Sequence, residues 1–421
     1  MRNERRAALR LGPGLITGAC NDDPSSVATY SQIGAQFGFA LAWTVPFSLP
    51  LLVAIQEISA RIARVTGRGI AGNLRRHCPG WLAAVLVTLL ALANLFNLAA
   101  DLGAMAAVLR LLLAAPALLY VCLLGAASVL FEMLTHYARY VRLLRWMCLS
   151  LLSYVVCAFV VDVPWRQVAH ALLFPPLAAS WQYGVAVLAA RGTTISPYLL
   201  FWQAQQEVED GRHNGSAPPL LEAVEQAPRE FARIRLDTLI GMGLSGVVAL
   251  FIVITAASTL HVHGVHTIQT AAEAAEVLRA VGGRFTFSLF ALGIIGAGLL
   301  TLPALSTSTA YAVGELLSWR VGRHHPRRHA RAFYAAIALA TALAVALNFT
   351  PVNPMRALYW SAVLNGVIAV PLLAAVMYLA TRAGVMGPLR LPAPLRALGW
   401  LATAAMACSV AGMAVAWLVF S

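Results

Sequence analysis

Charged residues are scarce in this chain of 421 residues, and lysine is absent from it altogether. Only 11% of the residues are charged and 60% are hydrophobic, a balance that excludes an ordinary soluble globular protein. The formal net charge of +13 reflects an excess of arginine, and most arginines occur in short gaps between apolar runs. This distribution is typical of membrane topology, so we predict no nucleic-acid partner.

The absence of paired cysteine motifs and of a recognisable catalytic motif limits the classes of function open to the chain. The six cysteines show no CxxC spacing and mostly fall inside apolar runs, which predicts buried free thiols. No nucleophile, base and oxyanion donor occur together in a recognisable spacing. We therefore predict that the chain is not an enzyme and has no cofactor.

Long apolar runs are abundant. A transmembrane helix requires about 20 mostly apolar residues, so the sequence predicts an all-α integral membrane protein with eleven spans. The spans cover residues 12–38, 39–60, 80–109, 111–131, 143–162, 181–208, 236–260, 285–318, 332–349, 355–380 and 397–420. Arginine-rich gaps alternate with arginine-poor ones, which predicts a cytoplasmic N-terminus and an outside C-terminus in the cell membrane.

Two spans are interrupted at their centres by polar stretches that contain proline, residues 21–26 in the first and 192–197 in the sixth. Unwound backbone survives at membrane depth only where it is buried in protein or lines a cavity. Paired breaks predict two inverted repeats, approximately 12–162 and 181–380, with a substrate site where the breaks meet. Together with an extra C-terminal helix, 397–420, they form one transporter domain over residues 1–421.

Acidic residues indicate the chemistry of that site. Of seventeen in the chain, only Asp22, Asp23 and Asp101 are predicted to lie deep within apolar spans, where a carboxylate is costly and usually functional. Asp23 precedes a proline at the first break. It is therefore either a ligand in an oxygen-rich cation site or the N-cap of the half-helix that follows. Glu57 is expected to form a surface i,i+4 pair with Arg61.

A series of short motifs then makes a resemblance specific. They are Gly12-Pro13-Gly14, Asp23-Pro24, Ala28-Thr29, Ala60-Arg61, Val65-Thr66-Gly67, Ala100-Asp101-Leu102 and Asn353-Pro354. Over nearly its whole length the chain resembles the NRAMP divalent-metal transporters, in which motifs of this kind occur in the same order. The resemblance implies a LeuT-like inverted-repeat fold, with the metal bound between unwound first and sixth helices.

The resemblance also implies ligands. The family's Asp-Pro-Gly-Asn motif is similar to residues 23–26, so the aspartate is retained as Asp23 and Ser26 replaces the asparagine. The sixth-helix Ala-x-x-Met-Pro-His motif is similar to residues 193–198, where Ser196 replaces the methionine and Tyr198 the histidine. Hydroxyls also satisfy freed backbone in broken helices, so ligation by each of them stays open. The candidate metal ligands are Asp23, Ser26, Thr193, Ser196 and Asp22.

These departures affect selectivity and coupling. Replacing a thioether by oxygen removes the bias toward transition metals, so Mg²⁺ is the expected substrate, with Mn²⁺ tolerated. Tyr198 and Gln203 replace the family's sixth-helix histidines, and neither titrates near neutral pH. Asp101 matches the third-helix aspartate, but Ala104 replaces the glutamate one turn later. The pattern resembles the NRAMP-related magnesium transporters, which implies uptake driven by membrane potential. Two charges crossing 100 mV gain about 4.6 kcal/mol.

Other interpretations stay open. An ordinary NRAMP protein would couple Mn²⁺ or Fe²⁺ import to protons, with Asp101 as the critical acid. A transporter of organic solutes and a metal sensor that no longer transports are further alternatives. Arg191 stands immediately before the sixth break, where it would repel a divalent ion, pair with Asp22 or Asp101, or snorkel into a vestibule. The proton or gating candidates are Asp101, Tyr198, Gln203 and Arg191.

One histidine-rich segment adds a possible metal contact. His261, His263 and His266 fall in a predicted outside loop, where they form either a metal-capturing patch or a run without function. The predicted partners are the divalent ion and the lipid bilayer, and the sequence leaves the oligomeric state open.

Overall fold

The computed structural model describes residues 13–135, 143–144, 148–176, 180–213, 217–268, 271–322, 330–350 and 353–420. Every regular element in these ranges is a helix. The arginines predicted to orient the N-terminus, at positions 2, 5, 6 and 10, lie outside the described residues, so the orientation of both termini stays a prediction.

Eight α-helices with defined bounds lie in the described residues of the first half of the chain. They are α1 (Pro13–Cys20), α2 (Pro24–Phe37), α3 (Thr44–Thr66), α4 (Ile70–His77), α5 (Gly80–Leu113), α6 (Ala117–Leu134), α7 (Leu152–Val160, after the 3₁₀ turn Cys148–Leu151) and α8 (Trp165–Leu173). The helices α1 and α2 are the two halves of the first predicted span, separated by residues 21–23.

The second half repeats the broken arrangement and then continues with long helices. They are α9 (Trp181–Thr194), α10 (Pro197–His213), α11 (Ala227–Ala256, continued by the π-helical turn Ala257–His261), α12 (Ala271–Leu316), α13 (Arg331–Leu347), α14 (Pro354–Thr381), α15 (Ala383–Met386) and α16 (Ala393–Phe420). Within α12, Gly283 adopts φ 76° and interrupts the helical backbone, a conformation that favours glycine.

By length and apolar composition, eight helices in the described ranges are able to cross a membrane, or nine if α7 and α8, bent by 113°, form one span. The first predicted span is outside this set because α1 and α2 have only 8 and 14 residues. The ninth predicted span, α13, has only 17. The count of eleven spans and the repeat boundaries 12–162 and 181–380 therefore stay predictions.

Several helix ends differ from the predicted limits. The second span, predicted at 39–60, is a helix from Thr44 to Thr66, because arginines continue the helix until Gly67 ends it at φ 66°. The helix α8 lies between the fifth and sixth predicted spans and was not expected. An apolar run marks the part of a helix inside hydrocarbon, so it does not reveal where a polar or interfacial helical turn ends.

Small residues bring the broken helices close to their neighbours. A Cβ atom added to Gly18 of α1 would stand 2.1 Å from the carbonyl carbon of Gly241 on α11. On α9, a Cβ atom at Gly192 would stand 2.2 Å from the carbonyl oxygen of Ala362 on α14. Backbones that approach this closely are typical of helix packing in membranes. These contacts hold α1 and α9 against the helices that surround the two breaks.

Candidate cation site between the two helix breaks

The first break follows from the residue that begins α2. Pro24 has no amide hydrogen and disfavours a helical conformation in the residue before it, so Asp23 is extended at φ −67°, ψ 167°. The Asp23 Oδ1 atom accepts the amide N–H of Ser26 at 2.6 Å. The capping role predicted for Asp23 is therefore present. The cap uses only part of the carboxylate, which offers about four lone-pair sites, so Asp23 can also act as a metal ligand.

The two breaks are hydrogen-bonded to each other. The Ser26 hydroxyl donates to the carbonyl oxygen of Asn21 at 2.7 Å and lies 2.7 Å from the Thr193 hydroxyl. Since a hydroxyl has one proton, Thr193 donates to Ser26. Across the same gap the Tyr198 hydroxyl donates to the carbonyl oxygen of Cys20 at 2.5 Å. Three predicted residues, Ser26, Thr193 and Tyr198, thus come together at the junction of α1, α2, α9 and α10.

Asp101 of α5 also reaches the first break. Its Oδ1 accepts the amide N–H of Ser25 at 3.1 Å, and its Oδ2 accepts the hydroxyl of Thr301 on α12 at 3.3 Å. The Ser25 hydroxyl in turn donates to the carbonyl oxygen of Leu358 on α14 at 3.1 Å. Asp101 is fully buried. A carboxylate at the N-terminus of α2 is favourably placed for the positive end of the helix dipole.

Asp22 turns toward a different helix from its neighbour. Its Oδ1 accepts the hydroxyl of Ser245 on α11 at 3.0 Å, and the Asn21 side-chain amide donates to the same hydroxyl at 2.9 Å. Adjacent residues of an unwound segment have no helical periodicity, so they need not share a face. The structure therefore places Asp22 against α11, while Asp23 lies against the first turn of α2.

Ser196 and Gln203 make local or interhelical contacts. The Ser196 hydroxyl donates to the carbonyl oxygen of Thr193 at 2.8 Å and so satisfies a backbone group freed by the second break. The side-chain amide of Gln203 donates to the hydroxyl of Thr238 on α11 at 2.9 Å. Both residues are buried. Ser196 lies at the break, whereas Gln203 lies seven residues further along the chain, within α10.

Arg191 does not pair with either predicted aspartate. Its guanidinium donates to the carbonyl oxygen of Ala405 at 3.0 Å and to the hydroxyl of Ser409 at 2.7 Å, both on α16. Of the three alternatives that the sequence left open for Arg191, pairing with Asp22 or Asp101 is therefore wrong. Arg191 lies on the side of α9 that faces the C-terminal helix, so its position gives no support to a non-transporting sensor.

Two expectations about acidic residues also need correction. The i,i+4 pair of Glu57 with Arg61 is present, but it is buried: the two residues are only 4% and 8% exposed. Glu132, one residue beyond the fourth predicted span, is fully buried and accepts the hydroxyl of Ser306 on α12 at 2.7 Å. Glu132 is thus buried although it lies beyond the predicted span, because α6 extends to Leu134.

Asp237 of α11 is a further buried carboxylate that sequence reasoning missed. It accepts the amide N–H of Gly14 at 2.7 Å with Oδ2 and that of Leu15 at 3.2 Å with Oδ1. The first turn of any helix leaves amide groups without intrahelical partners. Gly12, the residue ahead of α1, has no side chain that could cap the helix. This missing capping group was the one signal in the sequence that a residue distant in the chain caps α1.

The histidine-rich segment is attached to the end of α2. The Nδ1 atoms of His261 and His266 lie 2.8 and 3.3 Å from the carbonyl oxygen of Ala35, and their rings are 5.0 Å apart. His263 Nδ1 lies 2.6 Å from the carbonyl oxygen of Thr259. Within the described ranges no three His, Cys, Asp or Glu side chains are grouped to hold a metal ion. The run therefore does not form the metal-capturing patch considered from sequence.

A cavity approaches the breaks from the side on which α2 ends. Its volume is about 240 Å³, and Ala28, Gln32, Gln182 and Arg356 are among the residues that line it. Ala28 is three residues from Ser25, about one helical turn. The cavity thus ends about one turn from the break, and the site residues are buried in this conformation.

The donor atoms at the junction are oxygens. They comprise the Asp23 carboxylate, the hydroxyls of Ser26 and Thr193, and backbone carbonyl groups at the break. The thiol of Cys20, the nearest residue with sulfur along the chain, lies 3.6 Å from the carbonyl oxygen of Leu300 on α12. Carboxylate, hydroxyl and carbonyl oxygens suit hard divalent cations.

Comparison with known proteins agrees with this architecture. A family model described as natural resistance-associated macrophage protein-like (Nramp) matches residues 14–416. The divalent metal cation transporter MntH of Yersinia enterocolitica is 29% identical over 309 residues, which cover 71% of each chain. The protein of that name from Pectobacterium carotovorum is 28% identical over 309 residues, covering 71% of this chain and 70% of that one.

Solved structures show the same fold. The manganese transporter of Eremococcus coleocola superimposes with a TM-score of 0.77 at 16% identity, covering 98% of this chain and 88% of that one. A nucleobase-cation-symport-1 family transporter superimposes with a TM-score of 0.57 at 15% identity, covering 96% of this chain and 92% of that one. The predicted all-α, LeuT-like fold with unwound first and sixth helices is confirmed. From the family match and this fold, we conclude that the chain belongs to the Nramp family.

Proposed function

We propose that this protein imports a divalent metal cation by alternating access, with the ion held between the two helix breaks and Asp23 as its principal anionic ligand. One observation carries the proposal: Asp23, Ser26 and Thr193, from halves of two broken helices, converge on one buried oxygen-rich junction. Relatives named divalent metal cation transporters support the substrate class.

Mg²⁺ is the proposed preferred substrate, with Mn²⁺ tolerated. Ser196 stands where the family motif has a methionine, so the described junction offers oxygen ligands and no thioether. A soft sulfur ligand favours transition metals, and its replacement by oxygen removes that preference. Mg²⁺ keeps much of its hydration, and small serines at positions 25 and 26 leave room for bound water.

We further propose that uptake is driven by membrane potential without proton coupling. Tyr198 and Gln203 stand where the family has histidines, and both side chains serve as hydrogen-bond donors to protein oxygens. Neither group exchanges a proton near neutral pH. The charge of the ion alone then supplies the driving force, about 2.3 kcal/mol per charge per 100 mV.

Uptake into proteoliposomes tests these proposals together. Mg²⁺ and Mn²⁺ influx is measured at an imposed potential while an internal pH dye reports proton movement. We expect influx of both ions without acidification, abolished by Asp23→Asn and retained by Asp162→Asn, which removes the same charge at an exposed position. Equal influx in the two variants would refute Asp23 as the ligand. Ser196→Met should raise the preference for Mn²⁺ over Mg²⁺ if position 196 faces the ion.

The second candidate is proton-coupled import of Mn²⁺ or Fe²⁺. Similarity to a manganese transporter favours it, as does Asp101, an acid held at the first break by Ser25 and Thr301. In this case Mn²⁺ influx acidifies the vesicle interior, and Asp101→Asn abolishes the acidification. Organic solutes rank third because Asp22 and Asp23 at one break would repel a substrate carboxylate.

A further inference from the structure

An apolar groove with a cationic end runs along the surface between α3, α11 and α16. Its volume is about 480 Å³, and its apolar lining includes Leu49, Val53, Leu239 and Leu395. Leu239 is 50% exposed, so the groove opens to the surroundings of the helix bundle. Because these helices cross the membrane, a lipid chain is the molecule that meets this opening.

Two arginines and one glutamate occupy the other end of the groove: Arg61, Arg235 and Glu57. Glu57 pairs with Arg61, and the Arg61 guanidinium also lies 4.4 Å from the centre of the Phe231 ring. The buried Arg61 Nε atom still has no hydrogen-bond partner in the described part of the chain. Arg235 is exposed and attracts the Glu57 carboxylate electrostatically, but it forms no hydrogen bond or salt bridge with a described residue. Two cations and one anion leave a net positive charge at this end of the groove, and Arg235 is its exposed donor.

The dimensions of the groove suit one leaflet of a bilayer. Leu49 and Arg61 are twelve residues apart on α3, about 18 Å at 1.5 Å per residue. Half the hydrocarbon core of a bilayer is about 15 Å. An acyl chain beside Leu49, Val53 and Leu239 therefore places its headgroup at the level of the two arginines.

We propose that this groove binds one anionic phospholipid, with its phosphate at the exposed guanidinium of Arg235, in the positive field that Arg61 strengthens, and with an acyl chain along the apolar wall. Basic pockets between transmembrane helices are suited to such headgroups because arginine pairs bidentately with phosphate. The positive end distinguishes the expected occupant from a zwitterionic lipid, and Glu57 does not repel it because Arg61 neutralises that carboxylate. The site is independent of which ion the protein carries.

Native mass spectrometry of the full-length protein tests the proposal, with phosphatidylglycerol or phosphatidylcholine added at matched concentrations. We expect tighter binding of phosphatidylglycerol, weakened about fivefold by Arg235→Gln. Arg229→Gln is the control, because it removes the same charge from an exposed position of α11 outside the groove. Leu239→Trp, which fills the apolar wall without changing charge, should also weaken binding.

Three results would overturn the site. Equal affinity for the two lipids in the unmodified protein would show that the arginines do not select a headgroup. Equal weakening by Arg235→Gln and Arg229→Gln would indicate attraction by overall charge alone. Unchanged binding in Leu239→Trp would place the acyl chain elsewhere. The two headgroup-selection measurements involve no core residue, so they do not depend on a variant that fails to fold.

Discussion

The attachment of α1 to α11 should depend on Asp237. Its carboxylate accepts two amide N–H groups from the first turn of α1, at 2.7 and 3.2 Å. A hydrogen bond to a charged group contributes about 1.5 to 3 kcal/mol. The shorter bond is buried and the longer one partly exposed, so we assign about 3 kcal/mol to the pair, the low end of the range.

Removing both acceptors in Asp237→Ala should therefore shift the equilibrium between attached and detached α1 roughly a hundredfold toward detachment. Asp237→Asn keeps one carbonyl oxygen as an acceptor and should shift it roughly tenfold, since about half the energy is lost. Hydrogen exchange of the peptide covering residues 13–20, followed by mass spectrometry, measures the opening directly.

The graded order of the variants is the critical result. Glu225→Gln serves as the control because it removes the same charge from an exposed residue just ahead of α11. If exchange of the α1 peptide is the same in Asp237→Ala, Glu225→Gln and the unmodified protein, the cap does not hold α1 in place. The close approach of Gly18 to Gly241 would then be sufficient for attachment.

Three further outcomes follow from the packing and ion pairs. Gly18→Ala should destabilise the protein by about 1 to 3 kcal/mol in thermal unfolding, because its Cβ would overlap the α11 backbone. Gly243→Ala, where an added Cβ meets nothing within 4 Å, should not, and equal effects would contradict the contact. Glu207→Gln should lower the free energy of unfolding by about 3 kcal/mol, the low end for breaking a buried ion pair, because Arg233 loses Glu207 but keeps Glu230. An unchanged melting temperature would show that the Glu207–Arg233 pair contributes nothing to stability. Arg191→Gln should leave the metal affinity of the purified protein unchanged, because the Arg191 side chain contacts α16. Tighter metal binding by this variant would show instead that the charge of Arg191 lies near the ion.

Much of the fold was accessible from sequence because hydrocarbon restricts a chain so strongly. Apolar runs must form helices that satisfy their own backbone, so their approximate positions follow from composition. Pro24 and Pro197, each preceded by polar residues, ended helical hydrogen bonding locally and marked both breaks. Asp23 was also accessible, since both of its possible roles depend on the adjacent proline.

Helix limits were less accessible. Arg61 and Arg64 end the apolar run in the sequence, but the helix α3 continues through them to Thr66. Arg61 pairs with Glu57, and Arg64 pairs with Glu230. Glu132 likewise followed an apolar run and is nevertheless buried within α6. The hydrophobic pattern reports burial in lipid, and it carries no information about polar groups that are buried in protein.

What the sequence by itself determined is the membrane class, the two breaks, the retained aspartate and the family resemblance, because each depends on residues close together in the chain. Only the tertiary structure decided which partners the polar groups take. Asp237 caps a helix 223 residues away, Arg191 binds a helix 214 residues away, and Thr193 meets Ser26 across 167 residues. Such contacts form when distant helices pack together, so no local pattern encodes them, and the contact of Asp22 with Ser245 of α11 depends on the same packing.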